Sequence, residues 1–165
     1  EDTSFYTNLG TSFGGSGAFS IRVEIVRIQS DGKILVGGAF DTFNGNTRKH
    51  LVRLNSNGTE DTSFYTNLGT GFTYAVKTIQ SDGKILVGGS FSSFNGSSGN
   101  KRLVRLNSNG TLDTAFQGNG TPTDEVNAIV EDSGNDLIVG GQFTTVDGTT
   151  RNRIVKYNSD GSIDY

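Results

Sequence analysis

Cysteine, methionine and tryptophan are absent from all 165 residues, and histidine occurs once. The missing cysteines exclude disulfides, thiolate zinc sites and cysteine nucleophiles, and the single histidine excludes every site type that needs two. Charge is sparse as well. Lys+Arg number 14 and Asp+Glu 17, a net charge of -3 without a basic cluster, which argues against nucleic acid or an anionic membrane as partner. Long apolar runs are missing too: none exceeds three residues, as in Ile34-Leu35-Val36, far short of a membrane span. The chain opens with Glu1-Asp2 rather than methionine and shows no charged segment followed by an apolar one. The expectation is a processed or excised piece.

What the chain does contain is turn and strand chemistry. Gly, Thr, Ser and Asn make up 75 residues, a composition of turns and solvated β-faces rather than helices. Leu, Ile, Val and Phe make up 43, about 26%, above the roughly 20% floor below which disorder is the default. A packed core is therefore possible.

Self-similarity organises the rest. Gln29-Ser30-Asp31-Gly32-Lys33-Ile34-Leu35-Val36-Gly37-Gly38 recurs letter for letter at 80–89, and Leu137-Ile138-Val139-Gly140-Gly141 ends a third copy. Leu51-Val52-Arg53-Leu54-Asn55-Ser56-Asn57-Gly58 recurs at 103–110 and, loosely, at 154–161. Asp-Thr-Ser-Phe at 2–5 and 61–64 relaxes to Asp113-Thr114-Ala115-Phe116, and Asp164-Tyr165 closes the chain within the same motif. The repeats run approximately 6–64, 65–116 and 117–165, with a unit of about 50 residues. Both ends fall at one point of the repeat, so a window on a longer array is expected.

Within each unit the period is two, that of strands. Strand one is Val23 to Ile28, with counterparts Ala75 to Ile79 and Val126 to Ile129. Asp31-Gly32 and Asp82-Gly83 give the two-residue hairpin signal, and Ser133-Gly134-Asn135-Asp136 predicts a hairpin loosened by two residues in the third copy. Strand two is Lys33 to Val36 and its copies. Its unbroken apolar run implies burial on both faces, and the Gly-Gly behind it removes side chains where another backbone approaches. After Phe40, Phe91 and Phe143 come polar loops with the turn dipeptides Asn44-Gly45, Asn95-Gly96 and Asp147-Gly148. Strand three is Leu51 to Leu54, Leu103 to Leu106 and Ile154 to Tyr157. Turns at Asn57-Gly58, Asn109-Gly110 and Asp160-Gly161 then predict a short fourth strand around Asp61 to Phe64 and Asp113 to Phe116. The expected fold class is all-β, three consecutive four-stranded antiparallel β-propeller blades with almost no helix.

These motifs, over nearly the whole chain, closely resemble the delta-sixty repeat family, a kelch-like β-propeller repeat. The resemblance implies tandem repeats in bacterial secreted or cell-surface proteins and phage virion proteins, usually with no known activity. The chain departs from the pattern in the long connector Thr11 to Ile21, the third hairpin, and Val146 where earlier copies have Phe43 and Phe94. Propellers close with about four to eight blades. Three blades leave three arrangements: further repeats outside this sequence, assembly of copies, or an open arc capped by another element.

Chemical motifs yield little. The once-per-unit aspartates Asp2, Asp61, Asp113 and Asp164 supply symmetry without the paired carboxylates that glycosidase chemistry needs, and turn hydrogen bonding is their expected role. The turns at 55–58, 107–110 and 158–161 faintly resemble calcium loops, but Arg53, Arg105 or Lys156 stands at the first ligand position and no bidentate glutamate follows. These three cations are expected on a solvated strand face, with binding of an acidic glycan as the alternative. His50 has no catalytic partner. Gly14-Gly15-Ser16-Gly17 lacks the Gly-Lys-Ser/Thr of a phosphate loop, and the sequons at Asn57, Asn95, Asn109 and Asn119 are turn composition.

The expectation is a non-enzymatic structural or adhesive module, extracellular, at a cell surface or in a virion, with no cofactor and no metal. Its expected partners are other protein subunits or further blades, with surface glycans as the second class, and neither nucleic acid nor membrane insertion. Binding is expected on the loops 41–49, 92–102 and 144–153, at Asp41, Asn44, Arg48, Ser92, Asn95, Arg102, Thr144, Asp147 and Arg151, because these loops vary while the strands do not. A lectin reading would use Phe43, Phe94, Tyr74 and Tyr6 as stacking platforms, against wedge packing for the phenylalanines. An enzyme whose active site lies on other blades is the third reading.

Overall fold

A computed structural model of the chain describes residues 3–10, 13–15, 20–69, 72, 76–81, 83–95, 97–98, 102–116 and 120–165. In chain order the elements are α1 (Thr3–Leu9), β1 (Phe13–Gly14), β2 (Arg22–Ile28), β3 (Ile34–Ala39), β4 (Thr42–Phe43), β5 (Asn46–Thr47), β6 (Leu51–Leu54) and α2 (Thr62–Leu68). They continue with β7 (Val76–Ser81), β8 (Ile85–Gly89), β9 (Ser93–Phe94), β10 (Ser97–Ser98), β11 (Leu103–Leu106), β12 (Val126–Glu131), β13 (Leu137–Gly141), β14 (Thr145–Val146), β15 (Thr149–Thr150) and β16 (Ile154–Tyr157).

Each repeat forms one three-stranded antiparallel sheet, ordered β2-β3-β6, β7-β8-β11 and β12-β13-β16. The first strands lie side by side, β2 against β7 and β7 against β12, so the sheets stack about a common inner edge. Strand three matches its expected bounds in all three units. The central strand is apolar throughout, and in the first two units both its faces are covered. Ile34 and Val36 face one cluster with Phe40, Phe43, Val52 and Leu54, whereas Leu35 joins Leu51 in a second cluster with Ile85, Val87, Val104 and Leu106 of the next sheet. Leu86 and Leu103 repeat this against Leu137, Val139, Val155 and Tyr157.

The expected fourth strand is corrected. Only single bridges extend the sheets there, Leu54 to Glu60, Leu106 to Leu112 and Tyr157 to Ile163. The Asp-Thr-Ser-Phe motif starts a helix instead: Asp61 is the N-cap of α2, its carboxylate accepting from the Phe64 amide, and Gly69 closes the helix at φ +71°. A short side-chain acceptor at the N-cap and a glycine after the last turn are helix signals. Seven residues are too few for an apolar stripe to announce them. In the third copy of the motif, residues 114–116 form a turn.

Two further expectations change. The hairpins of the first and third units close alike: Gln29 N–H bonds Lys33 O at 2.8 Å and Asp132 N–H bonds Asp136 O at 2.9 Å, leaving three residues at each tip rather than two. The third hairpin is therefore not looser than the first. In the second the last pair is Ser81 with Ile85, one residue further along the repeat. The close approach behind the double glycine is real and belongs to its second member. Strands β2 and β12 bulge opposite the glycines, between Val23 and Ile25 and between Val126 and Ala128. A Cβ on Gly38 would collide with the Arg22 carbonyl oxygen, and one on Gly141 with that of Glu125.

Between strands two and three each unit carries a small hairpin, β4-β5, β9-β10 or β14-β15. The incoming connector adds one pairing to it: Phe13 to Phe43, Phe72 to Phe94, Pro122 to Val146. Phe13 lies 4.7 Å from Phe40 and 5.1 Å from Phe43 by ring centroids, and Phe72 lies 4.6 Å from Phe91 and 4.9 Å from Phe94. In the third unit Val146 faces Pro122, so the connector changes together with the hairpin. The rest of the connector Thr11 to Ile21 falls largely outside the described residues.

Candidate functional site

The most developed polar constellation joins one repeat to the next. Asp61 follows the outer turn of the first unit, where its amide bonds Arg53 O at 2.9 Å. Its Oδ1 accepts from Ser63 Oγ at 2.6 Å and Phe64 N at 3.3 Å, capping α2. Its Oδ2 receives Lys33 Nζ at 2.9 Å, Arg53 Nε at 3.0 Å and Arg53 Nη2 at 2.9 Å. Arg53 stacks its guanidinium 4.1 Å from the Phe64 centroid and donates Nη1 to Ser108 O of the second unit at 2.5 Å. Asn67 of α2 also reaches the second unit, at Asn109 O, 2.9 Å.

The second joint repeats the first. Asp113 Oδ2 receives Lys84 Nζ at 2.5 Å and Arg105 Nε at 2.7 Å, Arg105 lies 4.4 Å from the Phe116 centroid, and its Nη1 reaches Ser159 O at 2.6 Å. In the third unit Asp136 replaces the hairpin lysine and Lys156 the strand arginine. Lys156 Nζ lies 2.9 Å from Asp136, 3.3 Å from Asp132 and 3.7 Å from Asp164.

These ion pairs set the protonation of their members. Burial alone would raise the Asp61 carboxyl, but hydrogen bonds from Ser63, Lys33 and the Phe64 amide, with the Arg53 charge, hold it well below the usual carboxylate range. Asp113 is lowered in the same way, burial being outweighed by Lys84 and Arg105. The backbone amides of Gly134 and Asp136 lower Asp132, and the Asp136 and Asp132 carboxylates raise Lys156.

The expected solvated face for Arg53 and Arg105 is corrected: their side chains are 7% and 12% exposed, because each is enclosed between its own sheet and the next. Lys156, with no sheet beyond it among the described residues, is 38% exposed. The turns that resembled calcium loops spend their oxygens internally. Asn57 Oδ1 accepts from the amide and hydroxyl of Thr59, Asn109 Oδ1 does the same with Thr111, and the Ser108 and Ser159 carbonyls accept from arginine. The usable sequence signal was the constant spacing of eight residues between strand-three cation and aspartate.

The loop residues singled out from sequence occupy equivalent places on the small hairpins. Asn44, Asn95 and Asp147 take φ of 49°, 51° and 47° at the hairpin tips. They pack on Gly10, Gly69 and Gly120 respectively, and Asn44 Nδ2 bonds Leu9 O at 3.0 Å. Asp41 is half-buried, its amide bonding Gly14 O at 2.8 Å and its carbonyl accepting from Arg48. Arg48 pairs with Glu60 and lies 3.6 Å from the Tyr65 centroid. Arg102 donates to Ser90 O, as Arg153 does to Gln142 O, while His50 at the matching position approaches Gly38 O through Nδ1 at 3.2 Å. Arg151 lies 5.3 Å from the Tyr165 centroid. Ser92 is half-buried, and Thr144 is exposed with its carbonyl bonded to the Arg151 amide. Asn95, Thr144 and Asp147 are exposed; Arg48 is tied to Glu60 and Tyr65, and Arg102 to Ser90 O of its own unit.

Phe43 and Phe94 are 0% and 2% exposed, so neither offers a ring to a sugar; Phe94 belongs to the cluster between the first two sheets, whereas Phe43 packs within the first unit and its connector. Tyr6 is 67% exposed, and Tyr74 lies outside the described residues. A cleft of about 280 Å³ between the second and third sheets is floored by Leu86 and Leu137 and edged by Lys84, Arg105, Glu131 and Asn135. Both its cations are the ones already paired to Asp113. No helix is long and apolar enough to cross a membrane among the described residues.

Residues 29–64, 80–116 and 135–165 match a family described as "Domain of unknown function (DUF5122) beta-propeller". Each match falls within one unit and takes in its second and third strands, while β2 and β12 lie before the matched residues. No curated protein matches the chain.

Proposed function

Because the chain belongs to this β-propeller family, we propose that it is a non-catalytic structural and adhesive module: three consecutive blades, of the delta-sixty type, in a virion or bacterial cell-surface assembly. The observation that carries the reading is the use made of the recurring charged groups. Asp61, Arg53 and Lys33, and again Asp113, Arg105 and Lys84, are paired to one another within their own unit, and the arginine of each set also holds the next blade, through Ser108 O or Ser159 O. A group committed to a buried ion pair serves geometry, and here it serves the same geometry each time.

The small hairpins are the surface that such a framework presents. They stand at the same place on successive blades, vary in sequence, and carry exposed Asn46, Thr47, Asp147 and Thr150. Rigid strands beneath variable loops are the common arrangement for recognition. Apart from Asp147 the exposed side chains of these hairpins are short and uncharged, which fits protein surfaces of a cell or virion as partners.

The test is adhesion of the fluorescently labelled chain to intact bacterial cells and to purified virions. A variant with Asn46, Thr47, Asp147 and Thr150 all changed to alanine should keep its circular dichroism and lose adhesion at least tenfold. Adhesion that survives in this variant would move the binding surface away from the hairpins. Failure of the parent chain to adhere to either target would overturn the adhesive reading.

A further inference from the structure

We propose that two copies of this chain join head to tail into one six-bladed ring, the open face of the third blade of each receiving α1 and the first blade of the other. α1 and α2 have the same sequence, Thr-Ser-Phe-Tyr-Thr-Asn-Leu, and rest on the following blade through the same contact, Asn8 to Asn57 O and Asn67 to Asn109 O, each 2.9 Å. α2 buries Phe64 and Leu68, whereas α1 buries no residue. The difference is the blade behind the helix. α2 is covered by Leu35, Leu51 and Arg53 of the first blade; α1 has no counterpart among the described residues.

The missing cover has its match at the other end. Leu35 and Leu86 on strand two are 0% and 4% exposed, and Leu51 and Leu103 on strand three are both 0%. Their counterparts on the third blade, Ile138 and Ile154, are 38% and 60% exposed. On the first blade Val26 is 49% exposed, although Ile129, which occupies its place in the third, is 6%. One blade therefore exposes the residues that cover a helix, and another exposes a helix of the sequence so covered. Lys156 stands where Arg53 and Arg105 stack on phenylalanine, and Phe5 of the second copy would lie in the place of Phe64.

Ring arithmetic favours two copies. Closed propellers hold about four to eight blades, and two copies give six, with one twofold axis relating both joints. A head-to-tail contact that closes stops growing. The assembly stands apart from the adhesive reading, which is measured on cells and virions, so either can fail alone.

Light scattering coupled to size exclusion should give about 35 kDa, twice the 17.5 kDa chain, with no further growth as concentration rises. Ile138→Asp combined with Ile154→Asp should reduce the mass to that of one chain while circular dichroism is unchanged. These 165 residues contain no cysteine, so Ile154→Cys supplies a unique thiol. Its alkylation should be at least tenfold slower in the assembled state than after addition of Ile138→Asp. A parent chain that stays at 17.5 kDa up to about 100 μM, a mass that climbs without a plateau, a dimer that survives the paired aspartates, or a thiol equally reactive in both backgrounds would each overturn the proposal.

Discussion

Arg53 stacks 4.1 Å from the ring centroid of Phe64 while gripping Asp61, three residues earlier, with Nε and Nη2. One guanidinium thus holds both the cap of α2 and a residue of its first turn, and its remaining Nη1 fixes the outer turn of the second sheet. A planar fork with five donors can do this; the compact ammonium of lysine cannot satisfy all three directions. The joint is a folding contact that spans two repeats.

Arg53→Ala should therefore cost about 3 kcal/mol, since removing one partner of a buried ion pair leaves the other charge poorly compensated. Lys33→Ala should cost about 1 kcal/mol or less, because the lysine side chain is 31% exposed and solvent screens it. Urea unfolding of both variants gives the comparison. Equal losses would mean that Arg53 contributes no more than an exposed charge.

Acid should loosen these joints. Asp61 and Asp113 are held below the ordinary carboxylate range, burial being outweighed by the Ser63, Lys33, Phe64 and Arg53 interactions at Asp61 and by Lys84 and Arg105 at Asp113. A carboxyl with a depressed folded-state value contributes stability that is complete above its unfolded value, about 3.9, and is lost as pH falls through the folded one. The melting temperature should drop below about pH 4, and Asp61→Asn with Asp113→Asn should flatten that drop while lowering the plateau. An acid limb of unchanged steepness in the double variant would assign the effect to other carboxylates.

The repeat unit, its strands and its two-faced central strand were legible because they are written in period and repetition: Ile34-Leu35-Val36 has no polar side to offer. The helix at 62–68 was not, because Asp61 and Gly69 mark its ends but seven residues carry too little pattern to outweigh a run of strand-like residues. The joint was half visible. Recurrence singled out Asp61 and Asp113, yet their partners Lys33 and Lys84 lie 28 and 29 residues earlier, at a distance only the folded sheet brings together. The hairpin residues were found as variable positions, but variability could not tell exposed Thr144 from Arg48, which is tied to Glu60 and Tyr65.

The double glycine should prove unequal. The Cβ of an alanine at 140 would meet nothing nearer than 3.8 Å, whereas at 141 it would collide with the Glu125 carbonyl oxygen at the strand bulge. Gly140→Ala should change stability by less than about 1 kcal/mol, and Gly141→Ala should destabilise by about 2 kcal/mol or more, as overpacking against backbone does. Thermal melts decide it. A harmless Gly141→Ala would show that the bulge relaxes freely.

The hairpin tips separate position from chemistry. Asn44 and Asp147 share a left-handed backbone at φ 49° and 47°, which both side chains tolerate better than most. Asn44 in addition donates to Leu9 O at the end of α1, a bond that a carboxylate cannot make. Asn44→Asp should therefore cost about 1 to 2 kcal/mol, the loss of a hydrogen bond with an acceptor left facing an acceptor. Asp147→Asn should be close to neutral for stability and should instead be read at Tyr157, whose phenol is pushed up mainly by burial and further by the Asp147 charge. Removing that charge lowers the phenol only in part, because burial remains. Spectrophotometric titration should show the Tyr157 phenol shifted down relative to the parent. A Tyr157 transition unmoved in the variant would remove the Asp147 charge as a cause and leave burial alone.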